Sequence, residues 1–191
     1  MNPVRNLVYA INISIDGCCD HTKFGGGGDG HEILRHYTKL LEASDVLVYG
    51  RKTYQLMVPY WPDVAKDPSS DRAEREFAEA LCAAKKVVFS RSLEGPLGEN
   101  TRIVRTDIRE EVLKLKREPG KNILTGGVSI PSELVKLGLV DEFHFVLHPA
   151  VVGEGRRLLD GAGIEPGLHL ASSERFNSGA LALHYLRNPG P

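Results

Sequence analysis

Four stretches of the sequence place anion-binding or ionisable residues where an apolar run ends. In "VYGRKTY", residues 48–54, Gly50 permits a tight turn from strand into helix, and Arg51, Lys52 and Thr53 occupy the helix start. A helix N-terminus carries unpaired N–H groups and a partial positive charge, so cations there oppose the dipole. Two readings stand: a bound anion offsets that cost, or Arg51 and Lys52 are simply solvated. In "VVFSRSL", residues 87–93, Ser90 and Arg91 offer a hydroxyl and a guanidinium to a phosphate, or form an ordinary turn. In "ILTGGVSIPSEL", residues 123–134, Gly126 and Gly127 precede a helix start. The pair lets backbone lie against a pyrophosphate, or serves close helix packing and a positive φ. It is neither a P-loop nor a dinucleotide fingerprint, because no Lys-Ser/Thr follows and the third glycine is missing. In "SIDGCCD", Asp16 follows the first strand, either as a plain Asp-Gly turn or as a carboxylate facing a substrate. "PAVVGEGRRLL" adds Glu154 between Gly153 and Gly155, with a plain turn as the simpler reading. Three anion-compatible strand ends in one sheet read together as a site for a dinucleotide with an extra phosphate.

Other chemistries find little support. His144 and His148 would share a strand face about 13 Å apart, too far for one metal ion. HExxH, a deaminase-type zinc signature and a GxSxG elbow are all absent from the sequence. No metal site is expected. The three cysteines, Cys18, Cys19 and Cys82, form neither a disulfide framework nor a CxxC pair, and they point to a reducing compartment. A formal net charge of −1 gives no support to a nucleic-acid or membrane-surface partner. No apolar run approaches the ~20 residues of a membrane span, and the N-terminus is too short and polar for a signal peptide. A cytoplasmic chain is expected.

The elements that must position these residues follow from periodicity. Strands are expected at 5–13, 45–50, 85–90, 101–105, 122–125 and 140–152. Helices are expected at 31–43, 51–57 (stopped by the prolines of "VPYWP"), 70–84 (capped by Ser69 or Ser70) and 107–118 (capped by an aspartate). A further helix carries Pro131 in its first turn and Gly138 at its end. Two final strands, 167–177 and 179–187, join at "NSG" as a hairpin. Alternating strands and helices closed by a hairpin imply an α/β fold: one domain, 1–191, with a mainly parallel sheet, helices on both faces and an antiparallel edge. The apolar strand 143–152, read as an edge, would pair with a second subunit.

"SIDG", "VYGRKTY", "VVFSRSL" and the long run from "ILTGGVSIPSELVKLGLVDEF" to "PAVVGEGRRLL" occur in the order and spacing of the dihydrofolate reductase-like superfamily. The chain most resembles the branch containing the reductase domain of the bifunctional riboflavin-biosynthesis deaminase–reductase. The resemblance implies a doubly wound fold, a homodimer, NADPH as hydride donor and a small heterocyclic substrate. In the riboflavin branch that substrate is a ribosylaminopyrimidine, reduced to its ribitylamino form. It implies Gly50, Arg51, Lys52 and Thr53 at the cofactor phosphates, and Ser90 and Arg91 near the adenosine 2′-phosphate. It puts Gly126, Gly127 and Val128 along the pyrophosphate and nicotinamide side. Asp16 would face the substrate and orient it or relay a proton, with Glu154 at the border. The loop 14–30, with its glycine run, would close over the nicotinamide. Two departures matter. The deaminase half is not seen, so a stand-alone reductase domain is expected, which need not make riboflavin. The acid that folate reductases place after the first loop falls near Leu34, with Glu32 on another helix face, which argues against folate. The alternatives are a dihydrofolate reductase-like enzyme and a nucleotide-binding module without turnover.

Overall fold

The computed structural model describes residues 5–24, 30–161 and 167–188. Its strands are β1 (Leu7–Ser14), β2 (Ser44–Gly50), β3 (Lys85–Phe89), β4 (Thr101–Val104), β5 (Asn122–Thr125), β6 (Glu142–His148), β7 (Leu168–Arg175) and β8 (Leu181–Arg187). Its helices are α1 (Gly30–Glu42), α2 (Arg51–Met57), α3 (Trp61–Lys66), α4 (Arg72–Ala83), α5 (Ile108–Arg117) and α6 (Ser129–Lys136). The strands form one sheet in the order β4-β3-β2-β5-β1-β6-β8-β7. The first six run parallel, and β8 and β7 are antiparallel additions.

The apolar runs of the central strands follow from burial on both faces. Leu7 and Tyr9 of β1, Val46 and Val48 of β2, and Ile123 of β5 pack with Val112, Leu115, Leu134 and Val135 of α5 and α6. The alternate residues, Val8, Ala10, Leu47, Tyr49 and Leu124, pack with Leu41, Tyr54, Phe77 and Leu81 of α1, α2 and α4. Each fully buried side chain of this size contributes about 1.5–3 kcal/mol. Strand propensity spans only about 1 kcal/mol, so burial decides the placement. The doubly wound, mainly parallel α/β architecture expected from the sequence is therefore present.

Three expectations need correction. Strand β6 ends at His148, because Pro149 has no N–H for the ladder. It lies between β1 and β8 and so has no free edge for a second subunit; the sheet edges are β4 and β7. Helix α2 ends at Met57, as the prolines of "VPYWP" predict, and Pro62 then sits in the first turn of the additional helix α3. Helix α4 is capped by Asp71, which accepts from Ala73 N at 2.8 Å, and not by Ser69 or Ser70. The C-terminal hairpin forms as expected, with Gly179 at φ +83° in its turn. Glu32 fastens that turn to α1, accepting from Asn177 N at 2.7 Å and from Asn177 Nδ2 at 2.9 Å. The glycine run 25–28 lies outside the described residues.

Asp71→Ala should lower stability by about 0.5–2 kcal/mol, the usual worth of an N-cap. Ser70→Ala should leave it unchanged. Urea melts of the two variants check this.

Candidate functional site

Because β1, β2, β3, β5 and β6 are parallel, their carboxyl ends share one edge of the sheet. Along it the sheet order sets Ser90–Arg91, Gly50–Arg51, Gly126–Gly127, Asp16 and the loop after His148 side by side. The chain leaves β5 over the α6 face, and leaves both neighbours, β1 and β2, over the opposite face. Such a switch point opens a crevice at the strand ends, the usual ligand position in open α/β sheets.

The glycines here have separate causes. Gly127 has φ +82°, and a Cβ on it would lie 2.2 Å from Thr53 Oγ1. A Cβ on Gly50 would stand 3.0 Å from Ile130 Cγ1. These contacts let the starts of α2 and α6 meet across adjacent strand ends. Thr125 Oγ1 donates to the Val48 carbonyl at 2.8 Å, and Tyr9 Oη to the Gly127 carbonyl at 2.9 Å, which locks the junction. At Gly126 the nearest atoms to a Cβ would be the Ala10 carbonyl oxygen at 3.5 Å and Tyr49 Cε1 at 3.8 Å, ordinary contacts. Thr53 therefore occupies the room made by Gly127, while no protein atom requires a glycine at 126.

The two helix starts at this junction differ from those of α4 and α5. Gly50 and Val128, the residues before α2 and α6, make no side-chain cap, and neither helix has an acid in its first turn. Asp71 and Asp107 cap α4 and α5, and acids follow in both first turns. Arg51 is exposed and reaches back along α2, donating from Nη1 to Gln55 Oε1 at 3.0 Å. Lys52 and Arg91 are exposed. The Ser90 hydroxyl accepts from Leu93 N at 2.9 Å, which shapes the turn and leaves its own proton to donate.

Asp16 holds the far wall. Its Oδ1 accepts from Ser14 Oγ at 2.7 Å and Val152 N at 3.1 Å, and its Oδ2 accepts from Gly153 N at 2.8 Å. Arg157 Nη1 reaches the Asp16 carbonyl. These hydrogen bonds, the Ser14 hydroxyl first, hold the carboxyl far below the usual range, so it has no proton to give near neutral pH. With the folded-state pKa depressed, the clamp is complete above the ordinary carboxylate range and is lost as pH falls below it. Glu154 is exposed and pairs with Lys23 Nζ at 2.5 Å.

Two features at this edge go beyond what the sequence patterns indicate. His148 Nε2 lies 3.0 Å from Asn12 Oδ1, under the Phe24 ring. Ile15 and Val151 are 59% and 73% exposed, one on each side of the clamp, an apolar rim that periodicity alone does not single out. The one signal for His148 in the sequence is its place near the end of a strand. A hollow lined by Arg5, Asn6, Glu42 and Lys121 lies at the amino ends of β1 and β5, remote from these groups.

The fold and this edge define an α/β protein whose strand-end switch point lies between β1, β5 and β2. Residues 5–182 match the family model described as the RibD C-terminal domain, and the chain belongs to that family. It is 36% identical over 186 residues to uncharacterized protein YyaP of Bacillus subtilis (strain 168), covering 95% of this chain and 94% of YyaP. Acinetobacter baumannii RibD superposes with a TM-score of 0.69 at 14% identity, covering 97% of this chain and 58% of that one. Dihydrofolate reductase from Enterococcus faecalis, solved with NADP(H), superposes with a TM-score of 0.59 at 14% identity, covering 96% and 97%. The fold is thus dihydrofolate reductase-like.

Gly127→Ala should be destabilised, through positive φ and the Thr53 contact, whereas Gly126→Ala should melt close to the parent; thermal melts separate them. Asp16→Asn should raise hydrogen exchange of the Val152 and Gly153 amides at pH 7, read by NMR or mass spectrometry.

Proposed function

We propose that residues 1–191 act as a single NADPH-dependent reductase domain, transferring hydride to a small heterocyclic substrate of the ribosylaminopyrimidine type. The observation that carries this reading is the pair of uncapped, acid-free helix starts on adjacent strand ends, flanked by Arg51, Lys52, Ser90 and Arg91. Membership of the RibD C-terminal domain family supports it. Five adjacent strand ends span about 19 Å, room for an extended dinucleotide.

The residues present fit such a cofactor, which when bound would supply the hydride. Backbone N–H groups at Gly50–Thr53 and Gly126–Val128 would face the pyrophosphate, with Arg51 and Lys52 neutralising charge. Ser90 and Arg91 would take the 2′-phosphate. Asp16 is a positioning residue: it keeps the 150–157 loop closed, so that Ile15, Val151 and Glu154 border the substrate. The proton that completes the reduction comes from solvent, because the Asp16 carboxylate is ionised and already accepts three hydrogen bonds.

Folate fits less well. Leu34 packs into the core under α1, and Glu32 is committed to the hairpin turn. A second reading, a nucleotide-binding module without turnover, is favoured by the absence of a protonated acid at Asp16. Reducing, cytoplasmic surroundings suit the three free thiols, and no described helix is long and apolar enough to cross a membrane. The expected homodimer would use the exposed edge strand β7.

Fluorescence titration should show tighter binding of NADPH than NADH. Arg91→Ala should weaken NADPH about tenfold or more, the worth of a charge-assisted hydrogen bond, and leave NADH nearly unchanged. Equal losses for both would remove the 2′-phosphate assignment. NADPH oxidation with a ribosylaminopyrimidine then separates an enzyme from a passive module.

A further inference from the structure

At the opposite end of β6 from the strand-end crevice lies a cluster that plays no part in the proposed hydride chemistry. His144 of β6 stands directly across the ladder from His184 of β8. Glu142 lies two residues from His144, on the same face, which α1 covers. The two rings stack with centroids 4.0 Å apart and planes at 17°. Both Nε2 atoms face one oxygen: Glu142 Oε2 is 3.6 Å from His144 Nε2 and 3.0 Å from His184 Nε2. One ligand atom from each of the three residues lies within 4.8 Å of the other two. In a tetrahedral site with bonds of about 2.0–2.1 Å, ligand atoms stand roughly 3.4 Å apart. Two edges of the trio already bracket that spacing.

The surroundings also match a metal site. Asn6 Nδ2 donates to Glu142 Oε1 at 2.7 Å, fixing the carboxylate and leaving Oε2 to the histidines. Metal-ligating carboxylates are commonly oriented by such an outer partner. His144 is only 9% exposed, yet its Nδ1 has no hydrogen-bond partner among the described residues. Neither does Nε2 of His36, whose ring lies 6.1 Å from that of His144. These two nitrogens do not face Glu142, and such buried unpaired groups call for an ordered water.

We propose that Glu142, His144 and His184 bind one divalent transition-metal ion of the zinc type. Imidazole and carboxylate donors without thiolate suit zinc and its first-row neighbours. Water reaching past His184, whose side chain is 25% exposed, completes the coordination. The ion clips the C-terminal hairpin to the parallel sheet at β6 and β8. His148 lies too far along β6 to share an ion with His144, and the partner comes from another strand, β8.

The test uses the full chain stripped of metal. One equivalent of Co2+ should give visible d–d bands, displaced by Zn2+, and Zn2+ should raise the melting temperature in a manner reversed by EDTA. His184→Ala and Glu142→Gln, checked for folding by circular dichroism, should weaken Zn2+ binding at least tenfold in calorimetry. His169→Ala, exposed on β7, should bind as the parent does. A parent protein with neither Co2+ bands nor a Zn2+-dependent melting shift would overturn the site, without reliance on any variant. Zn2+ uptake equal in the parent and His184→Ala would assign the binding to surface histidines and overturn it as well. NADPH binding is expected to be the same with and without EDTA, so failure of one proposal leaves the other standing.

Discussion

The close meeting of α2 and α6 at the ends of β2 and β5 is the constraint on which the crevice depends. The helices approach from opposite faces of the sheet and are separated there only by backbone. Thr53 fills the space a side chain at 127 would take, and Ile130 closes on Gly50. With Thr125 and Tyr9 tying the same turn to neighbouring strands, the helix starts are fixed relative to one another before any ligand arrives. Preorganised donors lose little freedom on binding, which favours affinity.

That junction also explains a division of labour between polar residues. Aspartates cap α4 and α5 and satisfy N–H groups at those helix ends. At α2 and α6 no side chain among the described residues caps the helix start, and Arg51 and Lys52 stand at that of α2. Asp16, the one acid on this edge with a candidate catalytic role, is spent on loop amides. Its charge is absorbed by the Ser14 hydroxyl and the backbone donors of the 150–157 loop.

Much of this was legible from the residues. Strands buried on both faces announce themselves as continuous apolar runs, and a glycine-then-cation strand end marks a candidate helix start. What remained hidden depends on distant partners. That Gly127 answers to Thr53 is a contact between two different strand ends. That β6 is interior depends on β8 arriving from some forty residues later. The Asp71 cap over Ser70 is a matter of one residue in register, decided by how α4 packs Phe77 and Leu81. Each local pattern admitted two answers, and tertiary packing chose between them. The cross-strand pairing of His144 with His184 was hidden for the same reason.

The Asp16 clamp joins positions 136 and 137 residues apart in the chain. Such a contact cannot form until β1 and β6 lie side by side, with most of the polypeptide already placed between them. Long-range closures of this kind bear their entropy cost late and slow the approach to the native state. During synthesis, the first strand leaves the ribosome long before its loop partner exists. The Asp16 clamp is accordingly among the later contacts to assemble, and a nascent chain can close it only after the 150–157 loop has emerged.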